Sequence, residues 1–260
     1  MVVIKYAGLT DLGCVREKNE DNWMADPGLG LYVVADGMGG QLGGGLASKV
    51  IVEVLPHLVR KEFAEIMDLS DPVASQRLLE VLSYLSNHLR EGGKDEAGLS
   101  GMGSTVIMLL VHGSKALIGQ MGDSRAYLLR KRKLKQLTTD HTLIQLLLES
   151  GDITAEEAIT HPACGQLTRY VGMEGEPLPE VQLFEIQPGD RLLLCSDGLT
   201  GMLTDKEILA VLKKKLVPKT ICKRLVEAAK KAGGKDNIAT VVITISEDSK
   251  DSKKQKIYSK

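Results

Sequence analysis

Two short apolar runs in this chain end alike. GLGLYVVADGMGG at 28–40 contains Asp36-Gly37, and DRLLLCSDGLTGMLTD at 190–205 contains Asp197-Gly198. Three further loops carry acidic residues where an apolar run begins or ends: Asn19-Glu20-Asp21, Gly122-Asp123-Ser124-Arg125 and Gly234-Lys235-Asp236-Asn237. Taken singly, each carboxylate reads as part of a turn or a cap. Taken as a set they allow a different chemistry. If the strands are neighbours their acidic ends converge, and converged carboxylates repel one another unless a cation lies among them. Oxygen donors suit hard ions such as Mg²⁺, Mn²⁺ or Ca²⁺, whereas zinc recruits His or Cys. The five histidines, His57, His88, His112, His141 and His161, show no metal-ligand spacing and read as structural or surface groups. A glycine directly after Asp lets a backbone carbonyl approach the same ion. Two ions about 3.5–4 Å apart would clamp a bridging water, lower its pKa and aim it at phosphorus for in-line attack.

Other features suggest different chemistry less well. The glycine-rich GMGGQLGGG has no Gly-Lys-Ser/Thr after it, so it is not a P-loop, and Leu42 stands at the third glycine of a dinucleotide fingerprint counted from Gly37. Cys195 has no thiol-phosphatase signature around it and reads as a buried strand residue. The basic run RKRKLK at 130–135 falls where two strands should turn, and charge at a turn usually stays solvated.

The elements that must hold these groups follow from periodicity. Residues 2–10 and 30–35 are rich in β-branched residues and read as strands. Apolar spacing of three and four predicts helices over 47–66 and about 73–91. From 103 to 137, four apolar runs separated by HGSK, GDSR and RKRK predict an antiparallel meander. Helical segments follow at 141–149 and 155–159, then strands at 181–186 and 191–196. Thr154/Glu157 and Thr204/Glu207 have capping-box spacing, the second opening a helix to about 216. Pro218 and Gly233 bracket another helix, and 238–245 is a last strand. Strands and helices come in blocks, which predicts antiparallel sheets with helices outside them. The division expected is one domain over 1–246 and a charged, disordered tail over 247–260.

The 260 residues are 43% apolar and 26% charged, with a formal net charge of -1. This is a globular composition without general attraction to nucleic acid or anionic lipid. Cys14, Cys164, Cys195 and Cys222 form no CxxC pair, which argues against structural zinc or a disulfide framework and fits a reducing cytoplasm. No signal peptide and no apolar run of about 20 residues is present, so neither secretion nor membrane insertion is expected.

The ordered pieces TDLGCVREKNED (10–21), VVADGMGG (33–40), GSTVIMLLV (103–111), GDSRAYL (122–128), LTRYVG (167–172), LLLCSDGLTGML (192–203) and GGKDNIATVVI (233–243) resemble the metal-dependent protein phosphatase family, the protein phosphatase 2C-like enzymes, and most closely its compact bacterial members. The resemblance implies an α+β fold, a four-layer αββα sandwich of two antiparallel sheets flanked by helices. It implies hydrolysis of phosphoserine and phosphothreonine with two Mn²⁺ or Mg²⁺ ions and a third site. It matches Asp36 to the carboxylate bridging two metals, Gly37 to a carbonyl ligand, and Asp197 and Asp236 to the remaining ligands of the first ion. Glu20 matches an acid holding the second ion, with Asp21 beside it. Asp123 with Asp197 matches the third site, and Arg16 matches a phosphate-binding arginine whose planar fork pairs two oxygens. Met38 replaces a histidine proposed as general acid in animal members, which leaves that role unassigned. The segment HPACGQLTRYVG, which belongs to a flap beside the site, lacks a basic residue often found after HP.

The partners implied are phosphorylated Ser/Thr proteins, a Ser/Thr kinase among them, acted on by a monomer. Two other readings compete: a non-catalytic phosphoprotein-binding module of the same fold, and a calcium-stabilised structural sandwich. The first should lack metal carboxylates, and the second leaves Arg16 unexplained.

Overall fold

The computed structural model describes residues 2–94 and 101–247. Its strands are Val2–Asp11 (β1), Asp21–Asp26 (β2), Leu31–Met38 (β3), Gly103–Ser104 (β4), Val106–His112 (β5), Lys115–Met121 (β6), Arg125–Arg130 (β7), Lys133–Gln136 (β8), Glu180–Glu185 (β9), Arg191–Cys195 (β10) and Ile238–Glu247 (β11). They form two antiparallel sheets, β1-β11-β10-β7-β8 and β2-β3-β5-β6-β9, with β4 paired to β3. The helices are Gly40–Glu62 (α1), Pro72–Lys94 (α2), Leu143–Ser150 (α3), Ala155–Ala158 (α4), Asp197–Thr200 (α5), Asp205–Leu212 (α6) and Pro218–Lys231 (α7).

Three apolar layers hold this sandwich together. Between the sheets, Val34, Ile107 and Leu109 pack toward Leu192, Leu194 and Val241. On one outer face, Ile51, Leu55, Leu78 and Leu82 of α1 and α2 cover Val33, Met108 and Leu117. On the other, Ile208, Ile221 and Leu225 of α6 and α7 cover Leu193, Cys195 and Val242. Strand side chains alternate between faces, and both faces of the central strands are buried, so LLLC is apolar at every position. The family's αββα architecture is therefore what this chain adopts.

The departures from the sequence reading concern elements near the site. The meander over 103–137 is divided: β5 and β6 lie in one sheet, β7 and β8 in the other, and the chain changes sheets through Gly122-Asp123-Ser124. Strand β2, DNWMAD, was not expected, because its polar residues interrupt the period-two signal. Helix α1 starts at Gly40, seven residues before the apolar period begins, because the glycine-rich stretch is helical under tertiary packing against its low intrinsic propensity. The helix predicted to about 216 ends at Leu212, and the short α5 was unanticipated. Both capping boxes form, at Thr154 and Thr204. The basic run turns between β7 and β8 at Lys131 and Arg132, which adopt φ of 49° and 66°. The expected disordered tail lies outside the described residues, apart from Glu247, which ends β11. Among the described residues, no helix is long and apolar enough to cross a membrane.

Leu194 is fully buried between the sheets, one residue before Cys195 and three before Asp197. Leu194→Ala is expected to cost about 2–5 kcal/mol in urea unfolding, as a buried leucine leaves a cavity when truncated. A loss below about 1 kcal/mol would place this side chain outside the core that supports the site.

Candidate metal centre

The five acidic loops meet at one end of the sandwich. Asp21 opens β2 directly opposite Asp36 near the end of β3, so their carboxylates share a sheet edge. Asp197 follows β10, Asp236 precedes β11, and Asp123 lies in the crossover from β6 to β7. A recess of about 560 Å³ is lined by Arg16, Glu20, Asp36, Asp123, Asp197 and Asp236. Gly37, Met38 and the flap residues Gly165, Leu167 and Tyr170 complete its walls. Every residue that the sequence singled out for the site thus reaches one recess.

The loops are held by side chains whose task is to bond backbone. Asn237 donates to the carbonyls of Leu12 (3.0 Å) and Lys18 (2.9 Å) and accepts from Glu20 N–H (2.8 Å), which fixes the Arg16 loop against β11. Thr105 Oγ1 accepts from Asp36 N–H (3.1 Å) and lies 2.7 Å from Ser124 Oγ, joining β3 to the Asp123 crossover. Ser196 Oγ donates to Asp21 Oδ2 (2.7 Å) and accepts from Ala239 N–H (2.9 Å). Under the crossover, Arg125 grips Asp140 through Nε and Nη2, with a closest approach of 2.6 Å. Sequence reasoning passed over Thr105, Ser124, Ser196 and Asn237 as functional groups, although each sits inside a quoted motif. Their signal was polarity at the end of an apolar run.

His141 has a structural role of the kind expected of it. It is buried, its Nδ1 accepts from Gly122 N–H (3.2 Å), and its Nε2 therefore carries the proton shared with Glu180 (3.2 Å). Its carbonyl accepts from Thr168 N–H (2.8 Å), so one residue ties the Asp123 crossover to the flap.

The glycines after the two aspartates have a steric reason as well. A Cβ on Gly37 would lie 2.0 Å from the Gly44 carbonyl oxygen, and one on Gly198 would lie 1.8 Å from that of Asn237. Both positions let another backbone segment pass against the site.

The electrostatics of the recess call for a cation. Burial pushes the Asp36 carboxyl well above the usual carboxylate range, and repulsion from Asp21, Asp197 and Asp123 pushes the same way. Burial raises Asp21 and Asp123 to about 7, with Asp197 adding repulsion to both. Asp197 is raised by burial and by Asp236, partly opposed by Arg16. Two buried oxygens, Asp21 Oδ1 and Asp197 Oδ1, have no hydrogen-bond partner. A buried unpartnered carboxylate oxygen is costly, and a hard divalent ion satisfies it. Among the described residues no three His, Cys, Asp or Glu side chains already form a closed ion cage. The donors nevertheless fit hard ions in type and location.

Asp21 is the site residue that the sequence undervalued. It is 2% exposed and belongs to the acidic cluster, whereas Glu20 is half-buried and its Oε1 accepts from Gly45 N–H in the first turns of α1 (3.2 Å). Arg16 Nη2 bonds Asp236 Oδ2 at 2.7 Å, with the arginine side chain 55% exposed at the mouth.

Residues 16–242 match the family model described as Protein phosphatase 2C. The chain belongs to that family. It is 37% identical over 252 residues to the serine/threonine protein phosphatase PstP of Mycobacterium tuberculosis, a match that covers 94% of this chain and 45% of that protein. This chain thus spans less than half the length of that relative. The serine/threonine phosphatase stp of Listeria monocytogenes is 34% identical over 244 residues, covering 90% of this chain and 93% of the relative. Among solved structures, the catalytic domain of PstP in complex with two manganese ions superposes with a TM-score of 0.78 at 35% identity, covering 95% of this chain and all of that one. Membership of this family and the manganese in that neighbour agree with dependence on two Mn²⁺ or Mg²⁺ ions.

Without metal, the folded site holds protons that the unfolded chain has released. Its contribution to stability is full below the ordinary aspartate value of 3.8 and is lost as pH rises through about 7, where Asp21 and Asp123 ionise in the folded state. In chelator, the melting temperature is expected to fall between about pH 5.5 and 8. Mn²⁺ should restore it at the upper end, and Asp36→Asn should raise it there without metal. Circular dichroism melts test this, and a profile insensitive to both metal and Asp36→Asn would mean that the carboxylates do not interact.

Proposed function

We propose that this chain is a metal-dependent protein serine/threonine phosphatase, hydrolysing phosphoserine and phosphothreonine by direct attack of water without a covalent phosphoenzyme. The observation that carries the reading is the convergence of Asp36, Asp123, Asp197 and Asp236 on one recess with an arginine at its mouth. A non-catalytic module would have no use for carboxylates kept together against burial and repulsion, and a calcium sandwich would have no use for Arg16.

In this reading Asp36 would serve both ions with the carbonyl of Gly37 as a further donor, Asp197 and Asp236 would complete the first site, Glu20 would help hold the second, and Asp123 with Asp197 would hold a third. When bound, the ions supply an activated water and neutralise charge on the phosphoryl group. The protein's own residues do the positioning. Arg16 uses one Nη2 N–H for Asp236, which leaves its other N–H groups to meet phosphate oxygens while the salt bridge holds the guanidinium at the mouth of the recess. Asp21, held by Ser196, stands opposite Asp36 across the β2–β3 pair. Met38 lines the recess and has no proton to give, so no side chain at that position protonates the leaving oxygen. The substrates implied are phosphorylated Ser/Thr proteins, including a partner Ser/Thr kinase, and the working unit is a monomer in the cytoplasm.

Hydrolysis of para-nitrophenyl phosphate and of a phosphothreonine peptide is expected with Mn²⁺, and not with Ca²⁺ or in chelator. Asp36→Asn and Asp197→Asn should each lower kcat by about a hundredfold or more while circular dichroism stays native. Near-normal turnover in either variant would remove the site assignment.

Arg16→Ala is expected to raise KM for the phosphopeptide by about tenfold, the weight of a charge-assisted fork on phosphate. An unchanged KM would make Arg16 a surface ion-pair residue. For Asp123→Asn, turnover should fall while tight binding of the first two Mn²⁺ ions persists in calorimetry. Unchanged turnover would eliminate the third site.

A further inference from the structure

A second recess, of about 830 Å³, runs along the outer face between β1 and α7. Strand β1 is the edge of its sheet, bonded to β11 on one side and to no strand on the other among the described residues. Leu9 and Asp11, on the face of this edge strand toward α7, line the recess, and Gly8 between Ala7 and Leu9 adds bare backbone to it. Val226, 3% exposed, forms its apolar floor with Leu9. The rim is basic: Lys219, Lys223, Lys230 and Lys231 all border it.

The charge on this rim is concentrated. Residues 213–231 carry eight Lys or Arg and a single acid, Glu227, in a chain whose formal net charge is -1. Lys230 is neutralised by Asp11 (2.9 Å), and Lys223 lies 3.8 Å from Glu227. Lys219, Arg224 and Lys231 have no ion-pair partner among the described residues, nor do Lys213, Lys214 and Lys215 just before α7. An unpaired strand edge, an apolar floor and uncompensated cations together describe a site for extended polypeptide of opposite charge.

Asp11, which lines the recess, closes β1 and opens the loop that carries Arg16. Asp11, held by Lys230, accepts from Gly13 N–H (2.9 Å), and Cys14 N–H donates to the Gly234 carbonyl (2.7 Å). Two residues beyond Cys14 stands Arg16, bonded to Asp236. A chain lying along β1 therefore leads to the mouth of the metal centre.

We propose that this groove docks an extended acidic segment of the phosphoprotein substrate, added beside the β1 edge with its carboxylates against the lysine rim. This rests on the phosphatase reading of the metal centre and names a substrate class for it: proteins whose phosphorylated residue lies near an acidic stretch. Docking raises the local concentration of the phosphorylated residue, so it acts on KM and leaves the chemical step alone. A bilayer is too flat to enter a recess floored by Leu9 and Val226. A nucleic acid backbone would take the lysines and leave the strand edge and the apolar floor unused.

The test uses the full chain and the double variant Lys219→Glu/Lys231→Glu, which breaks no ion pair and lies outside the metal centre. Two phosphothreonine peptides are compared, one of which continues into a stretch of Glu and Leu. Wild type should show a KM about tenfold lower for the extended peptide at equal kcat, with the advantage lost in high salt and in the variant. Hydrolysis of para-nitrophenyl phosphate should be the same in both proteins. In parallel, fluorescence anisotropy of the acidic stretch alone, without phosphate, should show binding to wild type and about tenfold weaker binding to the variant.

An equal KM for the two peptides, or an advantage that survives charge reversal, overturns the proposal. So does binding of an oligonucleotide or of phosphatidylserine vesicles in place of the acidic peptide. If wild type fails to hydrolyse even para-nitrophenyl phosphate, the phosphatase reading fails, while anisotropy still decides whether the groove takes acidic polypeptide.

Discussion

The repulsion among Asp21, Asp36, Asp123 and Asp197 is the constraint around which this end of the molecule is arranged. Burial and mutual charge raise the pKa of all four, so the protein holds them together against both. A structure tolerates such a cluster only where rigid surroundings over-determine it and a cation relieves it. Two opposed sheets supply the rigidity. Strand ends from both of them, stitched by Thr105, Ser196 and Asn237, bring the carboxylates to the seam between the sheets. Those stitches bond mainly to backbone, and two buried oxygens, Asp21 Oδ1 and Asp197 Oδ1, remain without a hydrogen-bond partner.

Rigidity is not uniform around the recess. Its floor rests on strands with buried neighbours, while Arg16 and Asp236 sit at the mouth with solvent on one side. The flap segment over 161–172 contributes Gly165, Leu167 and Tyr170, and α3 and α4 just before it bury no residue completely. A Cβ on Gly103 would lie 2.6 Å from the Tyr170 ring, so the flap's contact with β4 depends on that glycine. His141 joins this wall to the Asp123 crossover. Acids set on buried strand ends thus lie beneath a more loosely packed wall.

Much of this was legible in the chain because it depends on local chemistry. Capping boxes at Thr154 and Thr204 need only four residues each, and the buried run Leu192-Leu193-Leu194-Cys195 announces a strand covered on both faces. The oxygen-only donor set pointed to hard ions before any contact was known. The illegible parts are those where partners overruled local signals. β2 exists because Asp21-Asn22-Trp23 pairs with β3, not because its own pattern demands a strand. The glycines opening α1 allow it to pack closely on the site, since a side chain at Gly43 or Gly44 would meet Met102 or Glu20.

The sequence alone determined the kinds of elements, the chemistry available at their ends and, through seven ordered motifs, the family. Only the tertiary structure decided which acids meet and which of the neighbours Glu20 and Asp21 is buried. It also split an apparent meander between two sheets so that Asp123 falls on the seam. The physical reason is distance along the chain. Arg16 meets Asp236, Glu20 meets Asn237 and Asp21 meets Ser196 across separations of 220, 217 and 175 residues, and no local periodicity encodes contacts of that range.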